Sequence, residues 1–263
     1  MKNDIAVDNI ESPELSVIID KFSPFLKEVR KRVIFTLISF AIATVAGFVF
    51  HENIIRFLVG GLSLEGINIV FTSPFQFINL AVSCGLATGL VLTVPLILFQ
   101  VLSFLRPALK KKEFKMVTRF LPFSIFLLIV GFAFGVAIMK WQIEIFLARS
   151  ISLGIGNILD VSGLLTVVLL TSALLGVGFQ FPIVLLLLLR LGVVEHKQLS
   201  KRRPWVYLGS FIFTIFLPPD SVLADIILSL PLISLFEATL LINFILERKK
   251  RKALVDEDQE DNK

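Results

Sequence analysis

Two carboxylates stand among cations where apolar stretches meet charged segments. Glu28 lies within Phe25-Leu26-Lys27-Glu28-Val29-Arg30-Lys31-Arg32, and Glu113 closes the segment that runs from Phe104 through Arg106, Pro107 and Lys110 to Lys112. A carboxylate can hold an arginine guanidinium with two parallel hydrogen bonds, a grip that lysine cannot match. These positions could therefore form a docking surface for an incoming basic peptide. The plainer reading is local: Glu28 pairs with Arg32 one helical turn on, and Glu113 pairs with nearby lysines. On the residues alone both readings stand.

Polar groups inside the apolar stretches are few, which makes each informative. Glu237 reads as the formal charge within them, and Asn79, Gln100 and Gln180 are the larger neutral polar groups. Glu237 is either protonated or hydrogen-bonded to a neighbouring helix as part of the packing, or it is a working group. Gln180 stands two residues before Pro182, where proline removes a backbone donor and bends a helix. It either repairs that backbone or lines a polar recess for a partner's transmembrane segment. Gly85-Leu-Ala-Thr-Gly89 and Gly131-Phe-Ala-Phe-Gly135 place small residues four apart, a spacing that lets helices approach closely, and internal packing is the expected use.

Enzymatic chemistry finds no support. Neither H-E-x-x-H nor G-x-S-x-G occurs, and the two histidines, His51 and His196, fall on opposite sides of the membrane by the topology below. With the single Cys84 there is no thiolate cage, so no metal and no cofactor is expected. The net charge of +5 does not call for nucleic acid, because the cations flank apolar spans, where attraction to an anionic leaflet accounts for them.

A hydrophobic fraction of 56% with 26 Phe exceeds what one water-soluble core requires, so lipid must solvate much of the surface. Every span must then be a helix, since hydrocarbon offers the backbone no hydrogen-bond partner. The apolar stretches place six spans at roughly 33–50, 75–103, 120–139, 164–189, 205–217 and 222–246. Of 26 Lys and Arg, 23 fall on alternating segments between these stretches, leaving Arg56, Lys140 and Arg149 on the others. The positive-inside bias puts both termini in the cytoplasm. The fold class is therefore all-α, a polytopic membrane protein. Its organisation is a cytoplasmic segment (1–32), a six-helix domain (33–246), and a tail that is basic and then acidic (247–263).

The fifth stretch, Trp205 to Leu217, is too short to cross at full thickness. Pro218-Pro219 stops it, and Asp220-Ser221 can cap the next helix, so spans five and six are expected to form a short hairpin. The outer segments 51–74 and 140–163 are expected to lie on the outer interface as short amphipathic helices. The first 32 residues lack the apolar core of a cleavable leader, so span one is expected to act as its own targeting element. No repeat suggests a transporter's inverted halves.

These motifs, in this order, resemble the TatC family, the multispanning receptor of the twin-arginine protein translocase. Phe25, Leu26, Glu28, Val29, Arg30 and Arg32 match its N-terminal H-L-x-E-L-R-x-R. Ser73-Pro74-Phe75 matches the opening of span two, Pro107-Ala108-Leu109 with Glu113 the first cytoplasmic loop, and Phe179-Gln180-Phe181-Pro182 its F-E-x-P. Leu217-Pro218-Pro219-Asp220 resembles the T-P-P-D turn, and Leu230-Pro231 and Phe236-Glu237 follow in register. Phe25 stands where the family has histidine, and Gln180 where it has glutamate, so no titrating role carries over to position 180.

The resemblance implies a concave receptor that reads paired arginines through Leu26, Glu28, Arg30, Arg32, Phe104, Pro107 and Glu113. It implies TatA-like and TatB-like single-span partners, assembly with further copies of itself, and export of folded precursors by the proton gradient. A bacterial inner membrane or an organelle's membrane would suit. The competing classes are a small-solute secondary transporter or channel, which would need polar groups near mid-membrane, and a membrane scaffold without transport.

Overall fold

The structure is a computed structural model that describes residues 13–62, 68–70, 73–105, 120–154, 158–190, 192, 194, 196–218 and 222–260. Its elements are α1 (Pro13–Val49), α2 (His51–Leu62), β1 (Asn68–Val70), α3 (Pro74–Leu105), α4 (Phe120–Ser152), β2 (Ile158–Asp160), α5 (Val161–Gly178), α6 (Phe181–Arg190), α7 (His196–Lys201), α8 (Arg203–Ile215) and α9 (Val222–Glu260). Among the described residues the regular structure is helical apart from β1 and β2, two three-residue strands that pair in parallel and tie the segment after α2 to the one after α4.

Among the described residues five segments are long and apolar enough to cross a membrane: Leu26–Val49, Phe75–Phe104, Pro122–Ser152, Val161–Leu189 and Val222–Ile245. A further apolar helix, α8, has 13 residues. At about 1.5 Å per residue it is about 20 Å long, against a hydrocarbon core of about 30 Å.

Helix ends differ from the sequence expectation where no breaker intervenes. Span three does not stop near 139, and residues 140–152 do not form a separate interfacial helix. Instead α4 runs unbroken for 33 residues, about 50 Å. Its sequence offers no glycine or proline after Gly135 until Gly154, whose φ of +70° ends the helical run. The overrun is anchored because Met139 and Ile143 are buried against Leu58 and Leu62 of α2 and Leu80 of α3. In the other outer segment α2 forms as expected, with Leu58 and Leu62 on its buried face. Likewise α1 and α9 pass as single helices through the expected boundaries at 32/33 and 246/247.

Close helix contact is set by small residues on two seams. A Cβ added to Gly85 would lie 2.8 Å from the Thr44 carbonyl oxygen, and one on Gly47 2.5 Å from Thr88 Cβ, so α1 and α3 touch backbone to backbone. On the second seam, a Cβ on Gly135 would lie 2.5 Å from Ser172 Cα and one on Gly131 2.9 Å from Gly176 Cα. The internal-packing use expected for both glycine pairs is what these contacts provide. Hydrophobic cohesion is weak between helices in lipid, so such seams supply much of the dispersion energy that holds the bundle.

Candidate functional site

The charged middle of α1 meets the end of α3 through one side chain. Arg32 donates from Nη2 and Nε to Glu28 Oε1, at 2.6 and 3.2 Å, and from Nη1 to the Gln100 carbonyl oxygen at 2.8 Å. Its guanidinium carbon also lies 5.6 Å from the centroid of the Phe104 ring. A second bond locks the crossing, because Gln100 Nε2 donates to Thr36 Oγ1 at 2.8 Å while that hydroxyl donates to the Arg32 carbonyl at 2.9 Å. The local pairing of Glu28 with Arg32 is therefore present, and it is part of an interhelical knot. Both contacts fall on Glu28 Oε1, so Oε2 is the carboxylate oxygen without a protein partner among the described residues. The Glu28 side chain is 51% exposed, against 25% for Arg32.

The other expected recognition residues divide by placement. Leu26 and Arg30 are exposed on α1, and Arg30, two residues from both Glu28 and Arg32, is on a different face of the helix. Pro107 and Glu113 lie outside the described residues. Gln100 and Thr36 were not expected as site residues. The signal for Thr36 was present as its spacing of one turn from Arg32, but nothing in the sequence joins either residue to Gln100.

Gln180 sits at the break between α5 and α6. The Gln180 N–H bonds the Val177 carbonyl instead of that of Gly176, and the side-chain amide then donates to the Gly176 carbonyl at 3.4 Å. It also donates to the Ser124 carbonyl at 3.1 Å and accepts from Ser124 Oγ at 2.6 Å, which joins the break to α4. At 4% exposure the whole amide is engaged inside the bundle. Pro182 follows in the first turn of α6, where a missing N–H costs least.

Glu237 is also bound. It accepts from Tyr207 Oη at 2.5 Å and pairs with Arg203 at 3.3 Å, so its carboxylate ties α9 to α8 beside buried Phe236. A second acid also lies within the sixth stretch. Asp225 is in the first turn of α9 and is buried, so Glu237 is not the only formal charge there.

On the opposite face, Ser73 caps α3: its Oγ accepts from Phe75 N at 3.4 Å, and its own N–H donates to Gln76 Oε1 at 3.3 Å. Pro74 opens the helix and Phe75 is exposed. Pro218 follows the C-cap of α8, while Pro219 and Asp220 lie outside the described residues. Among the described residues no group of His, Cys, Asp and Glu could hold a metal ion.

Comparison with known proteins bears on residues 24–231, which match the family described as Sec-independent protein translocase protein (TatC). The chain is 29% identical over 235 residues to the Sec-independent protein translocase protein TatCy of Bacillus subtilis (strain 168), covering 87% of this chain and 90% of the relative. To the Sec-independent protein translocase protein TatC of Escherichia coli (strain K12) it is 29% identical over 216 residues, covering 81% and 83%. A crystal structure of the twin arginine translocase receptor TatC in DDM superposes with a TM-score of 0.72 at 26% identity, over 82% of this chain and 98% of that one.

Proposed function

This chain belongs to the TatC family and is a subunit of a Sec-independent protein translocase, not an enzyme; from that premise we propose that its basic face reads twin-arginine signal peptides. The observation that carries the proposal is the knot of Glu28, Arg32, Gln100 and Phe104. Arg32 holds one oxygen of the Glu28 carboxylate and leaves the other for an incoming guanidinium. A half-exposed carboxylate fixed in one rotamer meets an arginine without first losing its own side-chain freedom, which favours tight docking. Glu113, with Pro107 before it, supplies the second acidic position, so that two carboxylates meet two arginines. Leu26 and Arg30 complete the surface.

In this reading the chain crosses the cytoplasmic membrane six times with both termini in the cytoplasm. Five spans are full length, and α8 is the short one whose hairpin with α9 draws the outer surface inward. The receptor acts with TatA-like and TatB-like single-span subunits, and with further copies of itself, to export folded precursors on the proton gradient. Ser73, Pro74, Phe75, Pro218, Pro219 and Asp220 shape its outer side. A solute carrier would need polar groups to spare near mid-membrane, whereas the Gln180 amide is engaged by Ser124 and Gly176 and the Glu237 carboxylate by Tyr207 and Arg203.

Site-specific photocrosslinking of a twin-arginine precursor tests the reading. The Glu28→Gln, Glu113→Gln chain should insert normally yet lose the crosslink. Undiminished crosslinking in that double variant would remove the recognition claim.

A further inference from the structure

A groove of about 620 Å³ opens between α3, the α5–α6 break, α8 and α9. Its walls are apolar side chains such as Val94, Phe181, Phe213 and Leu232. The polar side chains on it are spent elsewhere, Gln180 on Ser124 and Gly176, and Ser210 on the Val206 carbonyl at 2.9 Å. Nothing in the groove asks for a polar ligand.

Depth identifies the kind of occupant. Along α8 the groove runs from Trp205 to Phe213, eight steps of about 1.5 Å, or about 12 Å. One leaflet of a hydrocarbon core about 30 Å thick is about 15 Å deep. The slot is therefore one leaflet deep, which suits an acyl chain and falls well short of a spanning helix.

Charge identifies the head of that occupant. Lys201, Arg202 and Arg203 immediately precede the groove's mouth, and all three are exposed. Arg203 shares its charge with Glu237, and no ion pair involves Lys201 or Arg202 among the described residues. Trp205, 75% exposed, stands between these cations and the apolar walls. The order is cation, then indole, then hydrocarbon slot, which is the order of phosphate, ester and chain in a phospholipid. Tryptophan favours the interfacial level of a bilayer, and basic recesses between spans on the cytoplasmic side hold anionic headgroups.

We propose that this groove holds one acyl chain of an anionic phospholipid, whose headgroup rests on Lys201 and Arg202 with Trp205 at the level of the ester bonds. The choice of leaflet rests on the cytoplasmic placement given above; the ligand's chemistry does not. The short helix α8 is thereby matched to the bilayer by a resident lipid along its flank.

Gly209 gives a clean test, since it lines the groove and a Cβ added there would meet no atom within 4 Å. The full chain is reconstituted in equimolar phosphatidylglycerol and phosphatidylcholine, extracted in mild detergent, and weighed intact by native mass spectrometry. The wild type should retain one phosphatidylglycerol in preference to phosphatidylcholine. Gly209→Phe should lower retention at least tenfold, and Lys201→Gln with Arg202→Gln should leave retention without preference. Equal retention of both lipids by the wild type, or unchanged retention by Gly209→Phe, would overturn the proposal. Should Gly209→Phe fail to fold, the exposed glutamine pair still decides. Reaction of Gln198→Cys from the outer side only would sink the membrane placement while leaving the lipid preference intact, so the two failures are separable.

Discussion

Replacing Arg32 by lysine keeps the charge and removes the fork. The guanidinium makes three contacts at once: the Gln100 carbonyl at 2.8 Å, Glu28 Oε1 at 2.6 and 3.2 Å, and the Phe104 ring at 5.6 Å. A single ammonium can keep one of them. A charged hydrogen bond to the carbonyl contributes about 1.5–3 kcal/mol, and the low end applies to a side chain one-quarter exposed. The cation–π contact adds about 0.5–1 kcal/mol. The pair with half-exposed Glu28 adds only about 0.3–0.5 kcal/mol. Allowing lysine its best single contact, the loss is about 0.8–1.5 kcal/mol, or roughly four- to tenfold in an equilibrium constant. The bundle should stay folded, because the α1–α3 seam at Gly47 and Gly85 is untouched, so the lost positioning of Glu28 should be read in recognition. Fluorescence anisotropy of a labelled twin-arginine signal peptide against the chain in nanodiscs should give a Kd about four- to tenfold weaker for Arg32→Lys, with unchanged helix content. A Kd within twofold of the wild type would refute the positioning role. Tighter binding would mean that Arg32 competes for Glu28 instead of presenting it.

Gly135→Ala should destabilise the bundle by about 1–3 kcal/mol in a denaturant titration in detergent, since its Cβ would lie 2.5 Å from the Ser172 Cα, whereas Gly209→Ala should be neutral or slightly stabilising. Gln180→Leu strands the Ser124 hydroxyl and the Gly176 carbonyl, so it should cost about 1–2 kcal/mol of stability in the same titration. If Gln180 were instead a partner contact, stability would hold while co-purification of a TatA-like or TatB-like subunit fell. Phe216→Cys, at the exposed end of α8, should react with an impermeant maleimide from the outer side; reaction only from the cytoplasm would overturn the six-span path.

Hydropathy and charge made the helices legible because lipid leaves the backbone no alternative to internal hydrogen bonding. They did not place helix ends, as α4 shows: its second half reads as an interfacial segment with Lys140, Glu144 and Arg149, yet lacks any residue that would stop it before Gly154. Motif spacing found Glu28 and Arg32, since a one-turn pair is written along a single helix. It could not find Gln100 as their partner, because that contact spans 68 residues and uses a backbone carbonyl, which carries no signature in the sequence. The Gln180 repair of Gly176 was half legible, since proline announced the break but not which carbonyl it would orphan. The groove beside α8 was invisible, because its walls are formed by four separate segments whose residues look like any lipid-facing ones.

The face bearing Glu28 should distinguish arginine pairs from other cations. The most direct measurement compares one signal peptide carrying two arginines with the same peptide carrying two lysines, each titrated against the wild-type chain in nanodiscs at one salt concentration. The arginine peptide should bind saturably, with the lysine peptide at least tenfold weaker. Equal affinities would mean that the face attracts charge without reading the guanidinium, and would contradict the recognition claim.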